Sequence, residues 1–342
     1  MSSSQRHEQQ NPKNLFFQNL FSQKLFFRDL IKVVAVGLLL TSCQSGSGAS
    51  SAPKPAEPAV EATALTRTIE HAMGTSQVPI TPERIVVLDT APLDAAVALG
   101  ITPIGSIAYG SLPTYLEMDR EAITVIGEGN TPNLETILRL RPDLILGSKP
   151  GTEKIYQQLA QIAPTVLAED SGRSGDWPEH FRLYAETLGK SEQAEQLLQN
   201  YQTQVAQLQQ QIDPSETLEV SVLATSEDRI AAYTAGSFAG SVLQDIGLAR
   251  NPAQAGTRRY AIQLSREALD KLDGDHLFLV YSAHFQGIPK EAFVSDSIWS
   301  QLEAVRQDKV CEVPNEVWIA GRSILAAKQI LTDVEACLTS AD

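Results

Sequence analysis

Short apolar runs alternate with helical stretches along most of the chain. Ile85-Val86-Val87-Leu88 is a β-branched run of the kind a strand shows when both faces of its sheet are covered. Pro92 to Leu99 follows with helical composition, and Gly100 suits the position just past a helix end. Ile101 to Ile107 is strand-like again. Asn133 to Leu140 reads as a helix, with Leu134, Ile137 and Leu138 on its apolar face and Pro142 as its stop. Asp143-Leu144-Ile145-Leu146 is the next strand, Ile155 to Ile162 a helix, and Thr165-Val166-Leu167 a strand. Strands alternating with helices predict a parallel α/β sheet.

Ser191 to Ile212 breaks this rhythm. It holds no Gly or Pro, is rich in Gln, Glu, Ala and Leu, and places Leu197, Leu198, Tyr201, Val205 and Leu208 on one stripe. As a helix it would run about 33 Å, one small domain's width, and Asp213-Pro214 would end it. Such a helix either packs within one domain or bridges two lobes. We take the bridge, because the alternation restarts behind it. Leu218 to Ala224 is a strand, Ser237 begins a helix that ends at Gly247, and Arg266 to Leu272 is a helix. His276 to Val280 is a strand, Ile298 to Leu302 a short helix, Lys309 to Val313 a strand and Gly321 to Leu338 a closing helix. The expected organisation is a targeting segment over 1–43, a tether over 44–64, an N-terminal α/β lobe over 65–187, a connecting helix over 188–213 and a C-terminal α/β lobe over 214–342.

The N-terminus reads as an address. Lys24, Arg28 and Lys32 lead into an apolar run that ends at Leu40 and is too short to span a bilayer as a mature helix. A basic segment before a short apolar one is the pattern of a secretory signal. Leu40-Thr41-Ser42-Cys43 resembles the lipobox of bacterial lipoproteins, which implies that Cys43 is acylated. Gln44 to Ala62, rich in Ser, Gly, Ala and Pro, lacks the apolar residues to build a core and suits a flexible tether. A lipid anchor, a tether and a globular body describe a periplasmic protein held at a membrane but working in water.

Charge narrows the function. The 342 residues carry a net −14; residues 1–42 hold five basic and two acidic residues, leaving 22 basic and 39 acidic, a net of −17. Such a body repels nucleic acid, so an anionic ligand needs a local cluster of cations. Once Cys43 is set aside, Cys311 and Cys337 are the only thiols, in a compartment where disulfides persist. Cys311 lies in the last expected strand and Cys337 near the end of the closing helix, 26 residues on. An antiparallel return of that helix over the strand would bring the two within bonding reach, while two buried free thiols fit the sequence equally well. No pair among His7, His71, His180, His276 and His284 has metal-ligand spacing, so neither a metal site nor a resident cofactor is expected.

Three stretches in order carry a family resemblance. They are Gly74-Thr75-Ser76-Gln77-Val78-Pro79-Ile80-Thr81-Pro82-Glu83-Arg84-Ile85-Val86-Val87-Leu88, then Pro132-Asn133-Leu134-Glu135 with Arg141-Pro142-Asp143-Leu144-Ile145, then Leu264-Ser265-Arg266-Glu267 ahead of the strand after Asp275. Together they make residues 66–340 resemble the siderophore/vitamin B12 class of periplasmic binding proteins. The resemblance implies two α/β lobes with mostly parallel sheets joined by a single long helix, the class III arrangement. It implies an ABC importer whose ligand, a ferric siderophore or ferric citrate-like chelate, sits between the lobes. Haem or cobalamin is the alternative ligand for the same fold. Glu135 and Glu267 occupy the "N-L-E" and "S-x-E" positions of that class, which implies that they dock onto arginines of a dimeric inner-membrane permease. A carboxylate near a helix start is also favourable in its own right, a sufficient structural reason for both. The protein is expected to act as a monomer.

Ligands between α/β lobes sit at the carboxyl ends of strands. The candidates there are Tyr109 after Ile107, Arg173 and Trp177 in the Gly/Ser-rich loop after Leu167, and Tyr233 after Ile230. Arg258, Arg259 and Tyr260 precede the Glu267 helix, and Trp318 and Arg322 follow the last strand. Arginine offers planar paired donors to anionic chelates, and Trp and Tyr offer stacking with a polar edge. The competing class is a secreted α/β enzyme. The chain has no Gly-x-Ser-x-Gly elbow, P-loop or His-Glu-x-x-His, and Gly127-Glu128-Gly129 lacks the third glycine of a dinucleotide fingerprint. The expectation is therefore a binding protein that turns nothing over.

Overall fold

The computed structural model describes residues 65–212, 218–226, 229–256, 258–281, 293–295 and 297–339. The expected signal, Cys43, the tether, the Asp213-Pro214 stop and His284 lie outside the described residues. An antiparallel hairpin comes first, β1 (Thr66–His71) with β2 (Gly74–Pro79). The first sheet comprises β3 (Ile85–Val87), β4 (Gly105–Ala108), β5 (Thr124–Glu128), β6 (Thr131–Pro132), β7 (Leu144–Ser148) and β8 (Thr165–Ala168), in the order β6-β5-β4-β3-β7-β8. Every pair in it is parallel except β5 with β6. Every residue of β3, β4, β7 and β8 is buried, which is why those strands read as unbroken apolar runs.

Helices α1 (Thr90–Ala98), α2 (Leu134–Leu140) and α3 (Tyr156–Ile162) belong to this sheet. Asn133 caps α2 by accepting the Thr136 N–H at 3.0 Å. Helix α4 (Trp177–Leu188) then runs to Gly189, whose φ of 71° closes it in the left-handed region. Helix α5 (Ser191–Gln211) buries Ala194, Leu198, Tyr201, Val205 and Leu208, the expected stripe with Ala194 in place of Leu197.

Behind α5 lies a second sheet of β9 (Glu219–Ser226), β10 (Arg229–Tyr233), β11 (Ala249–Arg250), β12 (Ala261–Leu264), β13 (His276–Tyr281) and β14 (Val310–Pro314). Its order is β12-β10-β9-β13-β14, with β11 against the start of β9. β13 pairs in parallel with β9 and β14, whereas β10 and β12 are antiparallel additions. Helix α6 (Phe238–Ile246) starts at the Ser237 cap and ends at Gly247, and α7 (Ile324–Thr339) closes the chain. Arg266–Leu272, expected as a helix, is a helix of the 3-10 type. Two α/β lobes joined by one long helix are thus present, the second with a mixed sheet. Among the described residues no helix is long and apolar enough to cross a membrane.

A single core cluster runs from Val87 and Leu146 of the first sheet through Tyr184 and Tyr201 to Phe238, Phe278 and Ile330. Both tryptophans expected in the cleft belong to this core. Trp177 is 1 % exposed and stands edge-on to Tyr201 and Phe238, with ring centroids 5.2 and 6.2 Å away. It does not sit in a loop; it opens α4, where Pro178 fits the first turn of a helix. Trp318 is wholly buried, stacks on Phe278 at 4.7 Å and donates its Nε1–H to Asp333 Oδ2 at 2.8 Å. Both indoles are therefore packing groups, and neither reaches the cleft. Cys311 of β14 and Cys337 of α7 form a disulfide, with Cα atoms 5.9 Å apart.

Candidate ligand-binding cleft

The chain leaves β3 and β4 of the first sheet and β13 and β14 of the second around one cavity of about 280 Å³. Thr90, Tyr109 and Thr114 line it from the first lobe, and Tyr281, Asn315 and Glu316 from the second. Its walls are tied together by Glu316, which accepts the Thr114 N–H at 2.9 Å and the Thr114 hydroxyl.

Beneath the cavity an ion pair crosses between the lobes. Asp89, directly after β3, caps α1 by accepting the Thr90 N–H at 2.8 Å. Its carboxylate also takes the Ser148 hydroxyl at 3.1 Å and Arg322 Nη2 at 2.5 Å. Arg322 spends its remaining donors on Ser171 O at 2.8 Å, Thr90 Oγ1 at 2.6 Å and Ala320 O at 3.1 Å. Its φ of 61° is unusual for a side chain with a Cβ, and this network holds it there. Burial opposes the charge on Arg322, but Asp89 and Tyr109 outweigh it and raise the pKa. Arg322 was expected to meet the ligand. At 2 % exposure and with its donors committed, it joins the lobes instead.

A second tie lies beside the first. Asp94 of α1 accepts the N–H groups of Leu325 and Ala326 at 3.0 and 2.9 Å, capping α7 of the other lobe, and the Tyr115 hydroxyl at 2.9 Å. Burial pushes its carboxyl up to about 6, against the lowering effect of those donors.

Of the remaining candidates, Tyr109 lines the cavity. Tyr109 is half-buried; its hydroxyl donates to Asn130 Oδ1 at 3.1 Å, and burial and then Asp89 raise its pKa. Arg173 is exposed, with its guanidinium 5.8 Å from the centre of the Tyr260 ring, a cation–π distance. Its charge reaches both Tyr109 and Tyr233, where it partly opposes the rise in pKa that burial causes. Its carbonyl accepts the Phe238 N–H of the other lobe at 2.9 Å. Tyr233 is pushed to about 12, by burial first and then by Tyr260. Arg258 and Arg259 are exposed next to Tyr260. Tyr109, Arg173, Tyr233 and Tyr260 are thus brought together, and Arg258 and Arg259 stand on the adjoining segment. The exposed Arg173 guanidinium over the Tyr260 ring, with the exposed Arg258 and Arg259 just before that tyrosine in the chain, can offer paired hydrogen bonds and stacking to a planar or multiply charged anion on a body of strongly negative net charge.

Glu135 and Glu267 are both exposed, each in the first turn of its helix and one in each lobe. Glu135 Oε1 lies 3.3 Å from Arg139 Nη1, a surface pair of little energetic weight. Sequence reasoning missed Asp89, Asp94 and Glu316. The available signal was position alone, since Asp89 follows a strand end and begins a helix.

A family model described as periplasmic binding protein matches residues 85–317. The probable siderophore-binding lipoprotein YfiY of Bacillus subtilis is 32% identical over 314 residues, covering 87% of this chain and 93% of its own. The achromobactin-binding periplasmic protein of Dickeya dadantii is 30% identical over 263 residues, covering 74% of this chain and 85% of its own. Among solved structures, Staphylococcus aureus SirA complexed with staphyloferrin B superimposes with a TM-score of 0.70 at 30% identity, over 80% of this chain and 99% of that one. With the fold, the cleft and these matches in agreement, the chain belongs to the periplasmic binding protein family.

Proposed function

We propose that the protein captures a ferric siderophore or a ferric citrate-like chelate in the interlobe cleft and delivers it to an ABC permease in the inner membrane. The observation that carries this reading is the exposed Arg173 guanidinium over the Tyr260 ring, with its charge acting on Tyr109 and Tyr233 and with the exposed Arg258 and Arg259 just before Tyr260 in the chain. Relatives named for siderophores, achromobactin and staphyloferrin B support the ligand class. The iron arrives as cargo inside its chelate, so the protein needs no cofactor of its own and performs no turnover. Glu135 and Glu267, one per lobe, suit docking onto two permease subunits. Acylation of Cys43 would hold the protein at the membrane within the periplasm, and palmitate labelling of wild type but not of Cys43→Ala would report it. In this reading the protein works as a monomer.

Equilibrium dialysis against iron complexes of citrate, catecholate and hydroxamate chelators, with haem and cobalamin alongside, tests the reading. Saturable binding of one iron chelate per chain, recovered chemically unchanged, is the expected result. Preference for haem or cobalamin would install the alternative ligand, and chemical conversion of the bound compound would point to an enzyme.

A further inference from the structure

We propose that Asp170, Asp176 and His180 form a site for one divalent transition cation at the base of the loop that carries Arg173. The three residues span the turn from β8 into α4. Asp170 lies on the loop, Asp176 immediately precedes the helix, and His180 is four residues further, on the same helical face. Such spacing matches no sequence motif, and only the fold gathers the three.

One candidate ligand atom from each residue lies within 4.8 Å of the other two. Around a cation with bonds of about 2.1 Å, neighbouring ligand atoms stand roughly 3.4 Å apart in a tetrahedral site. Small side-chain rotations would therefore close the site. His180 is 7 % exposed, and its Nδ1 is buried without a hydrogen-bond partner. That nitrogen faces Asp170 Oδ1 at 3.8 Å, too far for a hydrogen bond. Asp176 Oδ1 is likewise buried and unpartnered. Buried polar atoms of this kind are rarely left unsatisfied. A proton shared between the two carboxylates would serve Asp176 but would leave His180 Nδ1 with nothing, whereas one cation reached by both would satisfy the two unpartnered atoms.

Charge points the same way. Asp170, Asp176 and Glu179 act electrostatically on this cluster, and Arg322, whose charge also reaches it, is already met by Asp89. One imidazole and two carboxylates suit Zn2+, Co2+ or Mn2+ better than Ca2+, which takes six or more oxygens. Three protein ligands leave further positions to water. Asp170 Oδ1 also accepts the Gly172 N–H at 2.6 Å, so a cation held there would brace the loop next to Arg173.

The test needs no iron chelate, so its outcome is separate from that of the transport reading. The untagged full chain, stripped of metal with EDTA, is titrated with Co2+ and Zn2+ by absorption and calorimetry. The expected result is one saturable ion per chain, with affinity reduced at least tenfold in Asp176→Asn and in His180→Gln. X-ray absorption of the zinc-loaded wild type should report one imidazole nitrogen with oxygen ligands, and this decides the matter even where a variant fails to fold. The proposal is overturned by absence of saturable uptake in the wild type, by equal affinity in a folded variant, or by a zinc shell without imidazole.

Discussion

Arg322→Met converts the buried tie between the lobes into a quantitative test. The substitution keeps most of the apolar stem and removes the guanidinium. Asp89, 6 % exposed, then keeps the Thr90 N–H at 2.8 Å and the Ser148 hydroxyl at 3.1 Å as its close donors, with the Thr90 and Tyr109 hydroxyls at 3.5 Å. The carbonyls of Ser171 and Ala320 also lose donors. Removing one partner of a buried ion pair costs about 3–5 kcal/mol, because the other charge is stranded in low dielectric. Asp89→Asn strands Arg322 in the same way, so the double variant should lose less than the sum of the singles, with a coupling of about 1–3 kcal/mol. Urea denaturation of the four proteins measures the cycle, with equal m-values as the control on the unfolded state. If Arg322→Met cost under about 1 kcal/mol and instead abolished chelate binding, Arg322 would be a ligand contact and the account of the cleft floor would be wrong.

Three further outcomes follow from the same geometry. Asp94 holds its proton more tightly when folded, up to about 6, than an ordinary carboxyl does; stability from this group is therefore greatest at acid pH and falls as pH rises from about 4 through 6. Asp94→Asn lacks that titration, so its stability relative to wild type should rise by on the order of 3 kcal/mol between pH 4 and 7, and a flat difference in urea midpoints would refute the assignment. Replacing Cys311 and Cys337 by Ser should lower stability by roughly 3.5 kcal/mol in the chain-entropy model, for a sequence separation of 26, without changing chelate affinity; a change in affinity would implicate the bond in the cleft. Glu135→Arg and Glu267→Arg should bind chelate normally yet block uptake, since like charges opposed across an interface cost several kcal/mol, and uptake at the wild-type rate would remove their docking role.

Much of the fold was legible because its strands are buried on both faces. The runs at Ile85–Val87, Leu144–Ser148 and His276–Tyr281 announce themselves by unbroken apolarity. Helix Ser191–Gln211 was equally plain from its lack of Gly and Pro. The hairpin of Thr66–His71 and Gly74–Pro79 left no such trace, because each strand buries a single residue, Ile69 and Val78, among mostly polar neighbours. Helix Trp177–Leu188 was hidden by Gly172, Gly175 and Pro178, which look like loop residues although proline suits a helix start. That one misreading carried Trp177 from the core to the cleft. The strand-end rule selected Tyr109, Arg173 and Tyr233, and the structure brings the charge of Arg173 to bear on both tyrosines. That rule had no means of pairing Asp89 with Arg322, which stand 233 residues apart and meet only when the lobes pack.

The proposed capture of an anionic iron chelate turns on Arg173, the exposed guanidinium over the Tyr260 ring. Trp177 and Trp318 are buried away from the cleft, so calorimetry is a better reporter than tryptophan quenching. The decisive measurement is a calorimetric titration of wild type and of the exposed-site variant Arg173→Ala with the tightest-binding ferric chelate. The expected result is one site per chain in both, an unchanged unfolding midpoint, and affinity weakened about tenfold or more in the variant, as loss of a charge-assisted contact of about 1.5–3 kcal/mol requires. Equal affinity in the two proteins, or no binding of any ferric chelate by the wild type, would contradict it.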